Sequence, residues 1–227
     1  MMRVIIACLL FLAGMATASA QVESVRRTCP IDGGGFLYQP APPLTSRQTY
    51  LDQKPVDPNT PWPHAKCPGN GFVLYKSNFT DEEITKLRKF VLSDQYRGMI
   101  DSHSTHYLEA VLRKHLGDPP YAVAWSLVQA SWQVSADPAR YKQYAEEALA
   151  LYDTIKFDAL PDIRHRILKR MLSGELARRL GRFDSARERF LEMRDNGEMR
   201  TSFLQRIIDF QLKLVRAKDT GSHRIPY

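Results

Sequence analysis

The sequence predicts a mainly α-helical protein: a small irregular N-terminal module with a short β-hairpin, followed by stacked antiparallel helical hairpins of tetratricopeptide-like form. Two observations carry this. Nine of the 14 prolines fall from Pro30 to Pro68, among Gly33, Gly34, Gly35, Gly69 and Gly71, and proline fixes φ and lacks an amide donor, so no long helix runs there. From Thr80 onward, helix caps and apolar residues at helical spacing recur with short connections between them, the pattern of helical hairpins packed side by side.

The elements follow in order. Gly35 to Tyr38 and Phe72 to Lys76 carry the apolar and aromatic side chains of short strands suited to a small hairpin, and Trp62, between two prolines, is expected to pack over this minimal core. Thr80-Asp81-Glu82-Glu83 is a capping box, and Ile84, Leu87, Phe90 and Val91 continue it as a helix over 81–92. Further helices are predicted over 105–116, stopped by Gly117 and the prolines after it, over 121–134, and over 137–155 behind Asp137-Pro138. Leu160-Pro161-Asp162 opens one ending near Leu180, Gly181-Arg182-Phe183-Asp184 turns into one over 184–194, and Thr201 caps a last helix reaching Lys218. The segments are thus 1–20, a signal peptide; 21–79, the module; 80–220, the helical domain; and 221–227, a loose tail.

A chain of 227 residues with 44% hydrophobic and 25% charged residues has an ordinary globular composition. Arg3, the apolar run Val4 to Ala16 and Ala18-Ser19-Ala20 read as a secretory signal with its cleavage site, too short for a span of about 20 residues. A periplasmic or secreted protein starting near Gln21 and without a membrane anchor is therefore expected. Its net charge falls from +7 to +6 with the loss of Arg3; this surplus reads as a solvated basic surface, and neither export nor any aromatic-basic motif points to nucleic acid.

Cys29-Pro30-Ile31-Asp32-Gly33 and Cys67-Pro68-Gly69-Asn70-Gly71 lie 38 positions apart and match each other. Each is a Cys-Pro-x-Cys-Gly zinc knuckle whose second cysteine is replaced, by Asp32 and by Asn70. A zinc set of Cys29, Asp32, His64 and Cys67 is the lesser reading, because Asn is a very poor zinc ligand and Asp an unusual one in structural sites. Two sulfurs that would share a tetrahedral ion sit close enough to bridge, and export leaves an even pair of cysteines, so a Cys29–Cys67 disulfide is expected.

The helix pair around Gly181 resembles a tetratricopeptide repeat, with Gly174, Gly181, Phe183, Ala186 and Phe190 at or near the small, turn-forming and aromatic positions of that repeat. Its early Trp and closing Pro are absent, Arg170 and Glu198 standing there; Tyr141, Ala145, Ala148 and Leu149 suggest a second unit. With the knuckles, the arrangement resembles a bacterial family of unknown function in which a Cys-Pro-x-Cys-Gly pair precedes tetratricopeptide-like helices. That resemblance implies an architecture and no known reaction.

Other constellations point to bland roles. His103 and His106, three apart near a helix start, read as surface or capping histidines, and His115 as a partner of a helix C-terminus. Cys29 as a thiol nucleophile with His64 as base is disabled once the cysteines are cross-linked. The stretch holding Arg164, Arg166, Lys169, Arg170, Arg178, Arg179, Arg182, Arg187 and Arg189 is interleaved with acids and reads as a solvated face with i,i+4 pairs. Asn78-Phe79-Thr80 matches a glycosylation sequon, but Thr80 is read as the helix cap. No catalytic motif and no cofactor loop is present. The leading expectation is a non-enzymatic, exported scaffold holding a protein or peptide partner in a helical groove. The alternative is a metal-binding or thiol-redox protein using Cys29, Cys67 and His64.

Overall fold

A computed structural model describes residues 23–195 and 201–226; the expected signal peptide lies outside them. A two-stranded antiparallel sheet, β1 (Val25–Thr28) and β2 (Gly35–Tyr38), precedes helices α1 (Asp81–Val91), α2 (Asp94–Arg97), α3 (Thr105–Leu116), α4 (Pro120–Gln133), α5 (Pro138–Thr154), α6 (Ile163–Arg179), α7 (Phe183–Asp195) and α8 (Ser202–Arg216). α3 packs on α1, and from α4 onward each helix packs on the one before it, which is the stacked-hairpin architecture. Among the described residues no helix is long and apolar enough to cross a membrane.

The helix starts sit where side-chain oxygens can take the free amides of a first turn. Thr80 accepts from the Glu83 amide while Glu83 reaches back to the Thr80 amide, and Asp137, Asp162 and Thr201 cap α5, α6 and α8 in the same manner. α2, a single turn behind Ser93, is too short for its pattern to show in the sequence.

The strand pairing differs from the expected one. β2 pairs with β1, Val25 opposite Tyr38 and Thr28 opposite Gly35, and Val73 bridges only to Lys66. Each half-knuckle is therefore the turn of its own hairpin. The two turns share one hydrogen-bond pattern: the Cys29 carbonyl accepts from the Gly33 amide and the Cys67 carbonyl from the Gly71 amide, while each cysteine amide donates five residues ahead, to Gly34 and to Phe72. Gly33 and Gly71 close them at φ +79° and +70°, a region a side chain disfavours.

The module and the helices share cores, so the boundary at residue 79 does not separate two packing units. Cys29, Ile31, Cys67, Phe72 and Val73 are buried with Leu87, Val91, Tyr96, Leu108 and Leu112 of the first helices, and Leu51 is buried in the cluster built from α3 to α8. Arg88 of α1 donates to the Ile31 carbonyl and Tyr96 of α2 to the Gly71 carbonyl, so each half-knuckle is bonded to a helix. A core this small gains its stability from such a partner.

The C-terminal tail, expected to be loose, is held. The Leu51 amide donates to the His223 carbonyl at 2.8 Å and the Ile225 amide to the Thr49 carbonyl at 3.0 Å, pinning residues 223–225 along the Pro-rich segment. Asp52, buried beside this strip, pairs with Arg179 of α6 at 3.2 Å. These partners are over a hundred positions apart, beyond any local pattern.

The tetratricopeptide-like contact is close. A Cβ on Gly174 of α6 would lie 2.5–3.0 Å from ring atoms of Phe190 on α7, and Phe190 is fully buried. Gly174→Ala should therefore cost about 1–3 kcal/mol by overpacking, lowering the melting temperature by about 2–4 °C per kcal/mol for a chain of this size. Thermal unfolding followed by circular dichroism checks this. An unchanged midpoint would mean that the two helices separate freely.

Candidate metal centre

Three polar side chains converge where the Pro-rich segment meets α3. His106 and Glu109 lie three apart on one face of that helix. The α3 start is fixed from α4, the Gln133 amide oxygen accepting from the His106 backbone amide at 3.1 Å and its nitrogen donating to Thr105 Oγ1 at 3.1 Å. Thr105 Oγ1 also accepts from the His64 backbone amide at 3.0 Å. Pro61 and Pro63 stiffen the segment carrying His64, and the Trp62 indole anchors it on the Gln39 carbonyl at 2.9 Å. Each histidine therefore comes from a backbone held independently of its ring.

His64 Nε2 lies 2.7 Å and His106 Nδ1 3.0 Å from the same oxygen, Glu109 Oε2, and the two rings are 4.1 Å apart. The other carboxylate oxygen, Oε1, accepts from Arg113 Nε at 2.8 Å, and Arg113 reaches on to Asp118 at 2.9 Å. His106 and Glu109 are buried and His64 is half-buried. Burial alone would push the Glu109 carboxyl up; hydrogen bonds from His106 and His64, with Arg113 behind them, outweigh it and hold it well below the usual carboxylate range. Glu109 is thus a carboxylate at neutral pH.

His106 is the residue in tension. Its Nδ1 faces Glu109 and its Nε2 lies 3.3 Å from the Trp62 carbonyl oxygen, so both nitrogens meet acceptors. Burial pulls its pKa down, and the hydrogen bond to Glu109 does not cancel that. A neutral imidazole has one proton for two acceptors. In that form one of the two contacts lacks a proton, which for an unsatisfied buried group costs about 1–3 kcal/mol.

Among the described residues His64, His106 and Glu109 form a ligand set whose three donor atoms all lie within 4.8 Å of one another. Tetrahedral zinc with bonds of about 2.0–2.1 Å needs donors about 3.3–3.4 Å apart; Glu109 Oε2 lies closer than that to both nitrogens, so it would have to draw back from them for an ion to enter. Three protein donors leave a fourth position for water or another ligand. The Trp62 carbonyl then takes the His106 Nε2 proton, the second contact that metal-bound histidines characteristically make.

The residues singled out from the sequence are not brought together as a zinc set. Cys29 and Cys67 form the expected disulfide, buried, with Cα atoms 5.7 Å apart. Asp32 and Asn70, at the two vacated knuckle positions, are turn acceptors: Asp32 Oδ1 takes the Gly34 amide and Asn70 Oδ1 the Phe72 amide, both at 2.9 Å. They also meet each other, Asn70 Nδ2 donating to Asp32 Oδ2 at 2.8 Å. Asp32 and Asn70 are thus a hydrogen-bonded pair beside the disulfide, and of the expected set Cys29, Asp32, His64 and Cys67, His64 alone enters the new cluster.

His103 and His106 part company. His103 stacks on Tyr107 at 4.1 Å and bonds Tyr144 at 2.8 Å, whereas His106 turns to Glu109. The signal that marks the site is His106-x-x-Glu109 on a helix. Its weight comes from His64, 45 residues before Glu109, and no local reading supplies that. Comparison of the chain with family models, curated proteins and solved structures finds no match.

Proposed function

We propose that the chain is an exported metal-binding protein in which His64, His106 and Glu109 hold a divalent transition ion, zinc by preference. The observation that carries this is the placement of His106 between two acceptors. An ion shared by Nδ1 and Glu109 Oε2 removes the conflict and leaves Nε2–H to the Trp62 carbonyl. Histidine nitrogens with a carboxylate suit zinc and its neighbours in the series. The ion would have a structural role, with its fourth position left to water or another ligand. Its donors come from the Pro-rich segment and from α3, so it would clasp the module onto the helices where the disulfide has closed the module upon itself. The disulfide supports the exported compartment. Cys29 and Cys67 are bonded to each other and buried, so a thiol-redox role would require that bond to open first.

The test is zinc titration by calorimetry on protein freed of metal, with Glu109→Gln and His64→Ala beside it. One equivalent should bind, and at free zinc a hundredfold above Kd the protein should gain about 2.7 kcal/mol of stability. Either substitution should weaken binding at least a hundredfold. Binding that is substoichiometric, or untouched by Glu109→Gln, would show the cluster to be a buried hydrogen-bond network only.

A second reading is a protein-interaction scaffold, and one observation favours it. A groove of about 600 Å³ runs between α3, α4 and α5, lined by Val111, Val123, Leu127 and Leu151 with Lys114 and Glu147 among them, within the size range of ligand sites. Val111 and Lys114 come from a different face of α3 than His106 and Glu109, so a metal clasp and an occupied groove are compatible. A peptide or protein would be the partner in that case.

A further inference from the structure

A second, smaller cavity of about 230 Å³ lies between α4, α5 and α6, and its walls are of two kinds. Tyr121, Trp125 and Tyr152 supply aromatic surface, while Arg113, His165 and Lys169 supply cationic groups. No carboxylate is among its lining residues.

Following each cation to its partner isolates one of them. Arg113 is taken by Glu109 and Asp118, and His165 by Asp162 at 2.9 Å. The acids near Lys169 are committed elsewhere: Asp153 is gripped by both terminal nitrogens of Arg189, at 2.7 and 2.9 Å, and Glu192 is held by Arg170 at 2.7 Å. Among the described residues Lys169 has no carboxylate within ion-pair distance. Its ammonium lies over the Phe157 ring at 4.5 Å, with the Arg170 guanidinium over the same ring at 4.0 Å. Burial pulls its pKa below the ordinary lysine value; Asp153 works against that and the Arg170 and Arg189 charges work with it. A half-buried lysine among other cations, at the wall of an aromatic cavity, lacks an anion.

We propose that this cavity is a binding site for a small aromatic anion, an aryl carboxylate or aryl phosphate, whose ring lies among Tyr121, Trp125 and Tyr152 and whose charged group meets Lys169. The volume limits the ligand to about one ring with its acidic group, being below the roughly 300 Å³ at which drug-sized sites begin. The assignment does not rest on the metal reading, although Arg113 touches both sites. A phosphate engages lysine as a point charge and a carboxylate does the same with fewer acceptors, so both belong to one chemistry that the probes separate.

Titration of the full chain with benzoate, phenyl phosphate, benzamide and acetate, read by calorimetry and by the Trp125 indole N–H resonance, tests it. Benzoate or phenyl phosphate should bind one to one and move that resonance, with benzamide and acetate each at least tenfold weaker. Lys169→Met, which keeps the apolar stem, should weaken the aromatic anion at least tenfold and leave benzamide unchanged. Ala122→Leu, which fills the cavity from a half-exposed position and leaves the charges in place, should abolish binding. A response to one of the two anions alone identifies the acidic group. The assignment falls if neither anion gives a saturable response at millimolar concentration, if benzamide matches benzoate, or if binding survives either substitution.

Discussion

Arg178→Ala is expected to remove about 3–5 kcal/mol of folding stability, the cost of leaving one partner of a buried ion pair alone. That is a large share of the roughly 5–15 kcal/mol that a folded domain possesses. Arg178 and Glu175 are essentially inaccessible to water and lie three apart on α6. Arg178 Nη2 donates to both Glu175 oxygens, at 2.7 and 2.9 Å, and Nε reaches the same carboxylate and the Gln211 amide oxygen of α8, each at 3.0 Å. Gln211 closes the ring by donating to Glu175 at 2.8 Å. The guanidinium also donates to the carbonyls of Asp219 and Gly221, so one side chain ties α6, α8 and the tail together.

Truncation would leave a buried carboxylate with Gln211 as its remaining partner. Urea unfolding measures the loss, and the paired change Glu175→Leu with Arg178→Met supplies the control. Replacing both charges by apolar groups of similar volume removes the uncompensated ion, so the double variant should be more stable than Arg178→Ala. A loss below about 1 kcal/mol for the single change, the scale of an exposed pair, would mean that water reaches the site.

The second large effect is expected at the disulfide. Replacing Cys29 and Cys67 together by alanine should cost about 4 kcal/mol in the chain-entropy account, for a loop closed across 38 positions. The loss should fall first on the module. Its strands have four residues each, and its half-knuckles would keep the core contacts of Ile31 and Phe72 and the bonds from Arg88 and Tyr96. Hydrogen exchange on the oxidised and the substituted protein checks this: amides of Gly33, Gly71 and Phe72 should lose protection well before those of α6 and α7. Equal protection in both would show that helix contacts alone hold the module.

The basic stretch on α6 and α7 shows how far local pattern reaches. It was expected to be a solvated face with pairs one turn apart. Three pairs instead run between elements, Arg170 to Glu192, Arg182 to Glu146 and Arg189 to Asp153, and Arg178, paired one turn away with Glu175, is in the core. A charge run gives the composition of a face; which member turns inward depends on whether other elements offer buried acceptors. Glu175 supplies a carboxylate from the same helix, while the Gln211 amide oxygen and the tail carbonyls arrive from beyond the stretch.

The helix ends and the disulfide were legible from residues alone, because each is decided within a few positions or by the pairing of two sulfurs. Thr80 and Glu83 cap each other wherever the helix is placed, and Asp32 and Asn70 satisfy amides two residues away. The hairpin pairing, the anchored tail, the buried Arg178 and the convergence of His64 with His106 and Glu109 were decided by tertiary structure. A polar group leaves water only where its partners are already buried, and here they come from segments tens to more than a hundred residues apart.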